Sequence, residues 1–457
     1  MVFFSRSAFT ARQNVTVRIV CVLVAAFFIL APHPAAAGPT IIRDAEIENT
    51  LADFTRPVFD AAGIGVNDVN IILVEDNNLN AFVAGGMNIF IYTGVILEAE
   101  NPSELIGVLA HETGHIAGAH LIRTRAAMEQ ASFQTLLASL LGVAAAVGSG
   151  DGGAGAAVMT GTQSMAYNSM LSHSRTQEAS ADQAAVKYLD DAGLNADGLL
   201  TFLEKLQNQE ALPSSQQVEY VRTHPLTRNR ISYLRKSVED NTRSTRPNPE
   251  WEARLKRIQA KLTGFIYPDQ GLRMPRDTIA GRYGHTIALY RKNRLNEALT
   301  GINGLIKEET QNPYFHELKG QMLYESGRIK DSIPPYEEAV SLLPKSSLLR
   351  LHYGQALLAE ADSAEGYKNA INQLERSISL EKRQPLAHRL LATAYGRIDQ
   401  EGTARVHLAE EAVLRGQYTD ARRHIGLAEK SLDKSSSKWL RLQDLKKYLQ
   451  NIAPEDK

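Results

Sequence analysis

The chain has 457 residues and a formal net charge of −1, so it has room for two or more domains. Its charges are balanced and form no basic block, which excludes a protein that binds nucleic acid through a strongly basic surface. Cys21 is the single cysteine, which excludes a disulfide framework.

Residues 1–37 are expected to form a secretory signal peptide. An apolar run over residues 19–31 follows a basic segment that contains Arg6, Arg12 and Arg18. The small residues before Gly38 fit cleavage after Ala37. The run is too short to favour a stable membrane span, although an uncleaved N-terminal anchor is the alternative. Cleavage would leave a chain without cysteine, which suits an oxidising compartment.

Three short strands are predicted next in the chain. Val69–Glu75, Ala81–Ala84 and Asn88–Thr93 are rich in β-branched, aromatic and other apolar residues. Gly85 and Gly86 separate the second strand from the third, where they would form a turn or allow a close approach of the backbone. We therefore expect a small β-sheet in a chain that is otherwise mainly helical.

A His-Glu-Thr-Gly-His motif occupies residues 111–115 inside a predicted helix. A four-residue step on a helix brings His111 and His115 to within about 40° of each other, one turn apart. Both imidazoles would then bind one zinc ion, and Glu112 would lie beside them as the general base. The alternative is a chance match on a buried helix.

The start of this helix also has a sequence signal. Asn101 suits the N-cap, Pro102 suits the first helical position, and Glu104 would complete a capping box with Asn101. The motif therefore lies on a helix that begins about ten residues before His111.

A zinc site of this kind needs a third ligand elsewhere in the chain. His120 does not suit this role, because on a continued helix it lies about 140° from His115 and points away from the metal. It is expected to be a packed or surface residue. Glu178, on a second helix predicted over residues 175–190, would complete the set. Asp182, one turn later, would hold the far nitrogen of a ligand histidine. A solvated helix face is the alternative for both acids.

These motifs resemble the zinc metallopeptidase family that includes HtpX and the CAAX prenyl endopeptidases. The resemblance covers roughly residues 45–240, and it includes the hairpin at 78–97 and a Thr-His-Pro…Arg motif at 223–230. It implies an α+β zincin-like domain, one zinc ion per chain, and a zinc metalloendopeptidase activity.

The last of these motifs contains His224 and Arg230. Three interpretations of His224 remain open: it stabilises the oxyanion, it occupies the fourth zinc position and keeps the enzyme latent, or it is a plain surface histidine. The latent interpretation is favoured, because an unrestrained peptidase would endanger its own compartment. Arg230 would position this segment by pairing with an acid in the site.

The hairpin is the predicted substrate-binding element. A strand beside the zinc helix would bind an extended substrate by adding it to the sheet edge, which recognises backbone more than sequence. The residues expected to contact substrate are Gly85, Gly86, Asn88 and Ile89. A purely structural hairpin is the alternative.

Residues 130–174 contain one charged residue, Asp151, and a Gly-rich centre within residues 142–162. A mobile lid or surface element is favoured over a transmembrane pair, because the apolar runs are too short for confident spans. A membrane-contacting hairpin is a further alternative, which would give the protein a peripheral membrane contact.

The rest of the chain is predicted to be a linker followed by repeats. Residues 246–275 are interrupted by prolines and include a helix near residues 249–263. Residues 276–457 repeat with a period near 34, typical of tetratricopeptide repeats. The six histidines of this region show no ligand spacing and are expected to be surface or packing residues. The predicted architecture is a peptidase domain over residues 38–245 followed by an α-solenoid.

This arrangement resembles a periplasmic member of the same family in Gram-negative bacteria. The resemblance implies a periplasmic location and quality control of outer-membrane β-barrel proteins, which would be the substrates. The repeats would recruit substrate or dock on the outer-membrane assembly machinery, and no nucleic acid partner is expected. The alternative is a chaperone or adaptor that keeps the peptidase fold and acts mainly by binding.

Overall fold

The computed structural model describes residues 40–66, 68–84, 86–120, 175–207, 218–241 and 248–452. The predicted signal peptide, Gly85 and the Gly-rich segment at 142–162 lie outside the described residues. Residues 41–457 belong to one compact unit. Within the described ranges, every helix is too short or too polar to cross a bilayer.

A four-stranded sheet lies in the first half of the chain. Its strands are β1 (Ile41–Ile42), β2 (Asn70–Val74), β3 (Ala81–Ala84) and β4 (Asn88–Tyr92). The order across the sheet is β1-β2-β4-β3, in which β2 and β4 are parallel and the two outer pairs are antiparallel. The three predicted strands are confirmed to within one residue at each end.

Seven helices among the described residues surround this sheet. They are α1 (Ala45–Ala61), α2 (Thr93–Glu98), α3 (Pro102–Ala117), α4 (residues 175–191), α5 (Asp197–Leu206), α6 (Glu219–Thr223) and α7 (Arg228–Asp240). Nearly every residue of α3 from Pro102 to Gly114 is buried, so this helix forms the centre of the domain. It is also the helix that carries the His-Glu-Thr-Gly-His motif.

Helix α3 begins as its sequence predicts. The side chain of Asn101 accepts a hydrogen bond of 3.2 Å from the backbone N–H of Glu104, and Pro102 opens the helix. The capping box is wrong in one detail. The Glu104 carboxylate forms an ion pair of 2.8 Å with Lys205, because the nearby ammonium group gives this buried acid a charged partner.

Gly114 brings α3 and α4 together. A methyl group at Gly114 would lie 2.7 Å from the backbone oxygen of Ala181, so only a hydrogen atom fits between the two helices there. Gly114 lies in the motif between the two histidines, and Ala181 lies between Glu178 and Asp182. This close crossing therefore places both acids opposite the histidines.

The region after α7 contains two further helices, α8 (Pro249–Ile266) and α9 (Pro268–Gly271). The apolar face of α8 packs into the core formed by the sheet and α1–α7 through Leu255, Ile258 and Leu262. Its buried Lys261 forms an ion pair of 2.7 Å with Asp44 at the start of α1. Residues 249–266 therefore form a packed helix; the domain boundaries assigned from the sequence remain predictions.

Five helix pairs follow and form an α-solenoid, as predicted. The helices are α10 (Ile279–Arg291), α11 (Leu295–Glu308), α12 (Pro313–Glu325), α13 (Ile329–Leu342), α14 (Ser347–Glu360), α15 (Ala364–Leu380), α16 (Pro385–Arg397), α17 (Glu401–Leu414), α18 (Tyr418–Ala428) and α19 (Ser437–Ile452). Gly320 allows the close crossing of α12 and α13, since a methyl group there would lie 2.9 Å from the Tyr336 ring.

The solenoid also contacts β1 and the start of α1. Arg43, which follows β1, binds the carboxylate of Glu381 at the end of α15 with two distances of 2.9 Å. Tyr283 of α10 donates a hydrogen bond of 3.0 Å to the buried Glu46 of α1. The first repeat therefore contacts the first turn of α1, and the third repeat contacts the segment that joins β1 to α1.

A buried histidine pair lies between α16 and α17. The Nδ1 atoms of His388 and His407 are 3.1 Å apart, and both side chains are buried. Burial, together with the positive charge of Lys438, lowers the pKa of His407 to about 2. His407 therefore stays neutral in the folded protein at pH values where the unfolded chain binds a proton.

We expect this pair to make the repeats sensitive to acid. The folded pKa of His407 lies below the unfolded value of about 6.5, so its contribution to stability is complete above about pH 6.5 and decreases as the pH falls. Below about pH 6.5 the free energy of unfolding should fall by about 1.4 kcal/mol per pH unit because of His407, and replacement of His407 with Asn should remove this loss. Thermal unfolding between pH 7.5 and 5.5 measures the difference, with His316→Asn as the control. Equal acid losses in the wild type and His407→Asn would contradict the prediction.

Candidate metal centre and active site

Three segments bring the predicted site residues together. His111, Glu112 and His115 come from α3, and Glu178 and Asp182 from α4. His224 follows α6, and Arg230 lies in the first turn of α7. All of these side chains except that of His115 are buried, and His115 is only slightly exposed.

The donor atoms of His111, His115 and Glu178 face one another. The two Nε2 atoms are 3.1 Å apart. The carboxylate oxygens of Glu178 lie 3.2 Å from His111 Nε2 and 3.3 Å from His115 Nε2. These three side chains, together with His224, form a group whose ligand atoms all lie within 4.8 Å of one another.

His224 completes this group. Its Nδ1 atom lies 3.3 Å from both carboxylate oxygens of Glu178 and 3.4 Å from His111 Nε2. Its Nε2 atom lies 3.0 Å from the backbone oxygen of Ala81 on β3 and donates its proton there. This contact fixes the tautomer in which Nδ1 carries a lone pair directed into the cluster.

The cluster fits a tetrahedral zinc ion. Zinc bonds of 2.0–2.1 Å to four corners of a tetrahedron require the corners to be about 3.3–3.4 Å apart. The distances between five of the six donor pairs, all except His115 with His224, range from 3.1 to 3.4 Å and are close to this spacing. Two imidazoles, one carboxylate and a third imidazole are also donors that zinc prefers.

The charges of the site also favour a divalent cation. Three buried carboxylates, those of Glu112, Glu178 and Asp182, face the single guanidinium of Arg230. Although burial lowers the pKa of His111, the hydrogen bonds to Asp182 and Glu178 raise it to about 9. The site therefore attracts positive charge, which it can take as protons on imidazole or as a metal ion.

Asp182 and Arg230 support the ligands from behind. An oxygen of Asp182 lies 2.9 Å from His111 Nδ1, the nitrogen that faces away from the cluster. Arg230 binds both oxygens of Asp182, at 2.6 and 2.9 Å, and reaches Glu178 at 2.8 Å. These contacts fix the orientation of one histidine and one carboxylate before any ligand binds. Arg230 therefore pairs with acids of the site, which is the kind of partner that the sequence predicts.

Glu112 differs from the other acids of the site. It is fully buried, and neither carboxylate oxygen has a hydrogen-bond partner among the described residues. The Nε2 atom of His224 lies 3.6 Å from one of its oxygens, which is beyond hydrogen-bond distance. Burial raises the pKa of Glu112. A buried carboxylate with free lone pairs, beside a cluster of side chains that can bind a metal, is suited to accept a proton.

His120 is a packed residue outside the ligand group, as predicted, but two contacts of the site were not evident from the sequence. The Nδ1 atom of His120 lies 3.0 Å from His115 Nδ1. The projection used to exclude His120 assumed a continuous helix, but α3 ends at Ala117, and Ala119 has a left-handed φ of 50°. His120 therefore packs behind a predicted ligand rather than at the metal.

The second contact that was not evident from the sequence is the one between Tyr220 and His224. The Tyr220 ring stacks on the His224 imidazole with the centroids 4.6 Å apart, and its buried hydroxyl has no hydrogen-bond partner in the described part of the chain. Its position four residues before His224, on the short helix α6, is a weak signal in the sequence. Tyr220 holds one face of the imidazole.

The structure corrects the predicted substrate edge. Asn88 and Ile89 lie on β4, which is paired on both sides, and Ile89 is fully buried. A strand with neighbours on both sides has no free backbone groups for a substrate. Among the strands that the structure describes, the edge strand near the cluster is β3, whose Ala81 contacts His224. Gly86 lies in the turn beyond β3 with a φ of 99°, and Gly85 is outside the described residues.

Comparison with known proteins agrees with this geometry. The sequence pattern of Peptidase family M48 matches residues 43–238. The beta-barrel assembly-enhancing protease of Yersinia pestis is 26% identical over 364 residues, which are 76% of this chain and 72% of that protein. The protein of the same name from Escherichia coli (strain K12) is 26% identical over 363 residues, 77% of this chain and 72% of that protein.

Solved structures match the chain only in part. YrrB, a TPR protein, is 16% identical and has a TM-score of 0.30, with 41% of this chain and 95% of that chain covered. The family match includes all the clustered residues described above. Residues 43–238 therefore form a domain that matches Peptidase family M48, and over most of its length the chain is similar to the beta-barrel assembly-enhancing proteases of Yersinia pestis and Escherichia coli (strain K12).

Proposed function

We propose that this protein is a zinc-dependent endopeptidase of the periplasm that degrades misfolded or stalled outer-membrane proteins. The observation that carries the proposal is the four-donor cluster of tetrahedral spacing with the unpaired carboxylate of Glu112 beside it. The substrate class is proposed from the relatives, which are named for β-barrel assembly.

His111, His115 and Glu178 would hold the zinc ion, with Asp182, Arg230 and His120 behind them. When bound, zinc polarises the scissile carbonyl and lowers the pKa of a water molecule to about 7. The protein side chains supply the rest of the chemistry. Their burial excludes bulk water, and their hydrogen bonds fix the positions of the ligands before substrate arrives.

Glu112 is the proposed general base. Its free oxygens accept the proton of the attacking water and then deliver it to the leaving amine as the peptide bond breaks. Because burial raises its pKa, the carboxylate is a better proton acceptor than an exposed glutamate, whose pKa is about 4.3. Proton transfer of this kind raises the rate of the catalysed reaction by about 10²–10⁴-fold.

Substrate is proposed to bind along β3 as an added strand. β3 is an edge of the sheet, and Ala81 at its start contacts the imidazole that closes the cluster. An added strand is recognised through its backbone, which suits an enzyme that acts on unfolded chains of varied sequence. The solenoid would recruit such substrates or dock the enzyme on the assembly machinery, since repeat arrays present extended binding surfaces.

Zinc content tests this proposal. The wild-type protein should contain one zinc per chain, and His111→Ala or Glu178→Ala should weaken zinc binding by more than the roughly 10–100-fold that loss of a supporting residue costs. Elemental analysis after dialysis against a weak chelator measures this loss. Glu112→Gln is the matched control, because it changes a buried carboxylate of the same site and should retain zinc. One zinc per chain in Glu178→Ala would remove Glu178 from the ligand set.

A further inference from the structure

We infer a second peptide-binding site on the edge of the sheet away from the cluster of His111, His115, Glu178 and His224. It lies at the part of β2 that β1 does not pair with. The two edges of the sheet are β3, which contacts the cluster, and β1. β1 has only two residues, and they pair with Leu73 and Val74. The inference rests on the proposed function in one respect: the ligand is the same class of unfolded polypeptide.

The backbone of Ile71 faces this uncovered edge. The Asn70 N–H donates to the backbone oxygen of Met87, toward β4. Backbone groups alternate in direction along a strand, so the N–H and C=O of Ile71 point away from β4. On that side the described residues place no strand opposite Ile71.

Continuation of β1 does not cover Ile71. In the antiparallel register, Asp44 would be the residue opposite Ile71. The Asp44 N–H is bonded to the Glu48 carboxylate at 3.1 Å, and its C=O accepts the Glu48 N–H at 2.9 Å. The backbone of Asp44 therefore belongs to the first turn of α1, and the donor and acceptor of Ile71 are left for a ligand.

A cavity of about 540 Å³ lies at this edge. Ile72 and Phe90 are paired in register and line it from one face of the sheet. Ile71 and Phe59 line it from the face that α1 covers. An extended peptide directs successive side chains to opposite faces, so its alternate residues would meet apolar surfaces on both sides. The volume is within the range of ligand pockets.

The solenoid forms the other wall of the cavity. Glu381 and Arg383, which follow α15, line it, and Arg43 joins Glu381 to the end of β1. Arg383 is exposed and has no carboxylate partner among the described residues. The occupant that fits is therefore an extended, unfolded segment that is rich in β-branched residues with apolar surface directed to both faces, and that carries no positive charge near Arg383. Bound there, it would hold a long substrate while another part of the same chain lies along β3.

Site-specific cross-linking tests this inference. The full chain with Glu112→Gln is used so that the probe stays intact, and the probe is a labelled synthetic peptide of alternating valine and threonine. A photo-reactive residue at Asn70, which lines the cavity, should capture the probe. The same residue at Asp60, which is exposed on α1 outside the cavity, should not.

Two variants test the contacts. Ile71→Pro removes the N–H that faces the cavity and is tolerated at a free edge, and Ala52→Trp fills the cavity from α1. Each should lower capture at Asn70 by about 10-fold or more, while Asp60→Trp should not change it. If Ile71→Pro fails to fold, Ala52→Trp alone decides.

Unchanged capture in Ala52→Trp would overturn the second site. So would a dimer that is lost in Ile71→Pro in sedimentation experiments, because the edge would then be covered by a second copy of the chain. Zinc content and wild-type hydrolysis are measured separately. If the cross-linking contradicts the second site while zinc content and wild-type hydrolysis are as expected, the proposed peptidase function stands.

Discussion

Glu112→Gln is expected to retain one zinc per chain and to lower peptide hydrolysis by about 10²–10⁴-fold. The change removes the proton acceptor and leaves His111, His115 and Glu178 in place. Both oxygens of Glu112 are buried without hydrogen-bond partners among the described residues, so the amide should fit without breaking an existing contact. The measurement is the initial rate of cleavage of an unfolded outer-membrane protein, with zinc content determined on the same sample.

This variant also separates the peptidase from the chaperone or adaptor alternative. A protein that acts only by binding should protect or deliver its clients equally well with Glu112→Gln. A wild-type rate of substrate loss in the variant would mean that Glu112 is not the base, or that another protease degrades the substrate. Glu204→Gln, at a partly exposed ion pair on the surface, serves as the control for the substitution itself.

His224→Ala is expected to raise hydrolysis by about 10-fold or more at equal zinc occupancy. The Nδ1 atom of His224 occupies the fourth corner of the cluster, where the attacking water must enter. If the open state of the site is populated at about 0.1–10%, removal of the imidazole makes every molecule competent and raises the rate in proportion. The measurement is the turnover of a quenched fluorescent peptide, with zinc determined in parallel.

The double variant His224→Ala with Glu112→Gln is the control, and it should lose the gain. The opposite result for His224→Ala has a different meaning. If His224 stabilises the oxyanion, its loss should lower kcat by about 10²–10³-fold. A clear fall in rate would therefore contradict latency and assign His224 to transition-state stabilisation. Its Nε2 contact with Ala81 on β3 suggests how substrate releases it, since an added strand would compete for the same edge.

The core of the site was predictable because its geometry is local. Helical periodicity brings His111 and His115 onto one face, and the same rule joins Glu178 to Asp182. The capping residues before α3 fix where that helix begins. The pairing of these helices was not local, and it was predicted because a zinc site with two histidines needs a third ligand from elsewhere in the chain. Gly114 shows the physical reason for it only once the backbone of Ala181 is seen beside it.

The errors came from features that sequence periodicity does not contain. The prediction that His120 is packed and is not a ligand is confirmed, but its contact with His115 was not foreseen, because α3 ends at Ala117 and Ala119 turns into the left-handed region. Asn88 and Ile89 were predicted to contact substrate as part of a hairpin at a sheet edge, but the sequence does not show which strand forms that edge. The parallel pairing of β2 with β4 moves β4 inside the sheet, and long-range strand order of this kind has no local signal.

Zinc titration of hydrolysis tests the proposed metallopeptidase most directly. The His224→Ala chain is stripped with a chelator, and peptide turnover is followed as zinc is added back. Hydrolysis should be absent without zinc, should rise in proportion to added metal, and should level off at one zinc per chain, because His111, His115 and Glu178 form a single site. Hydrolysis that persists after chelation, or that is unaffected by zinc while Glu112 is intact, would contradict a metal-dependent peptidase.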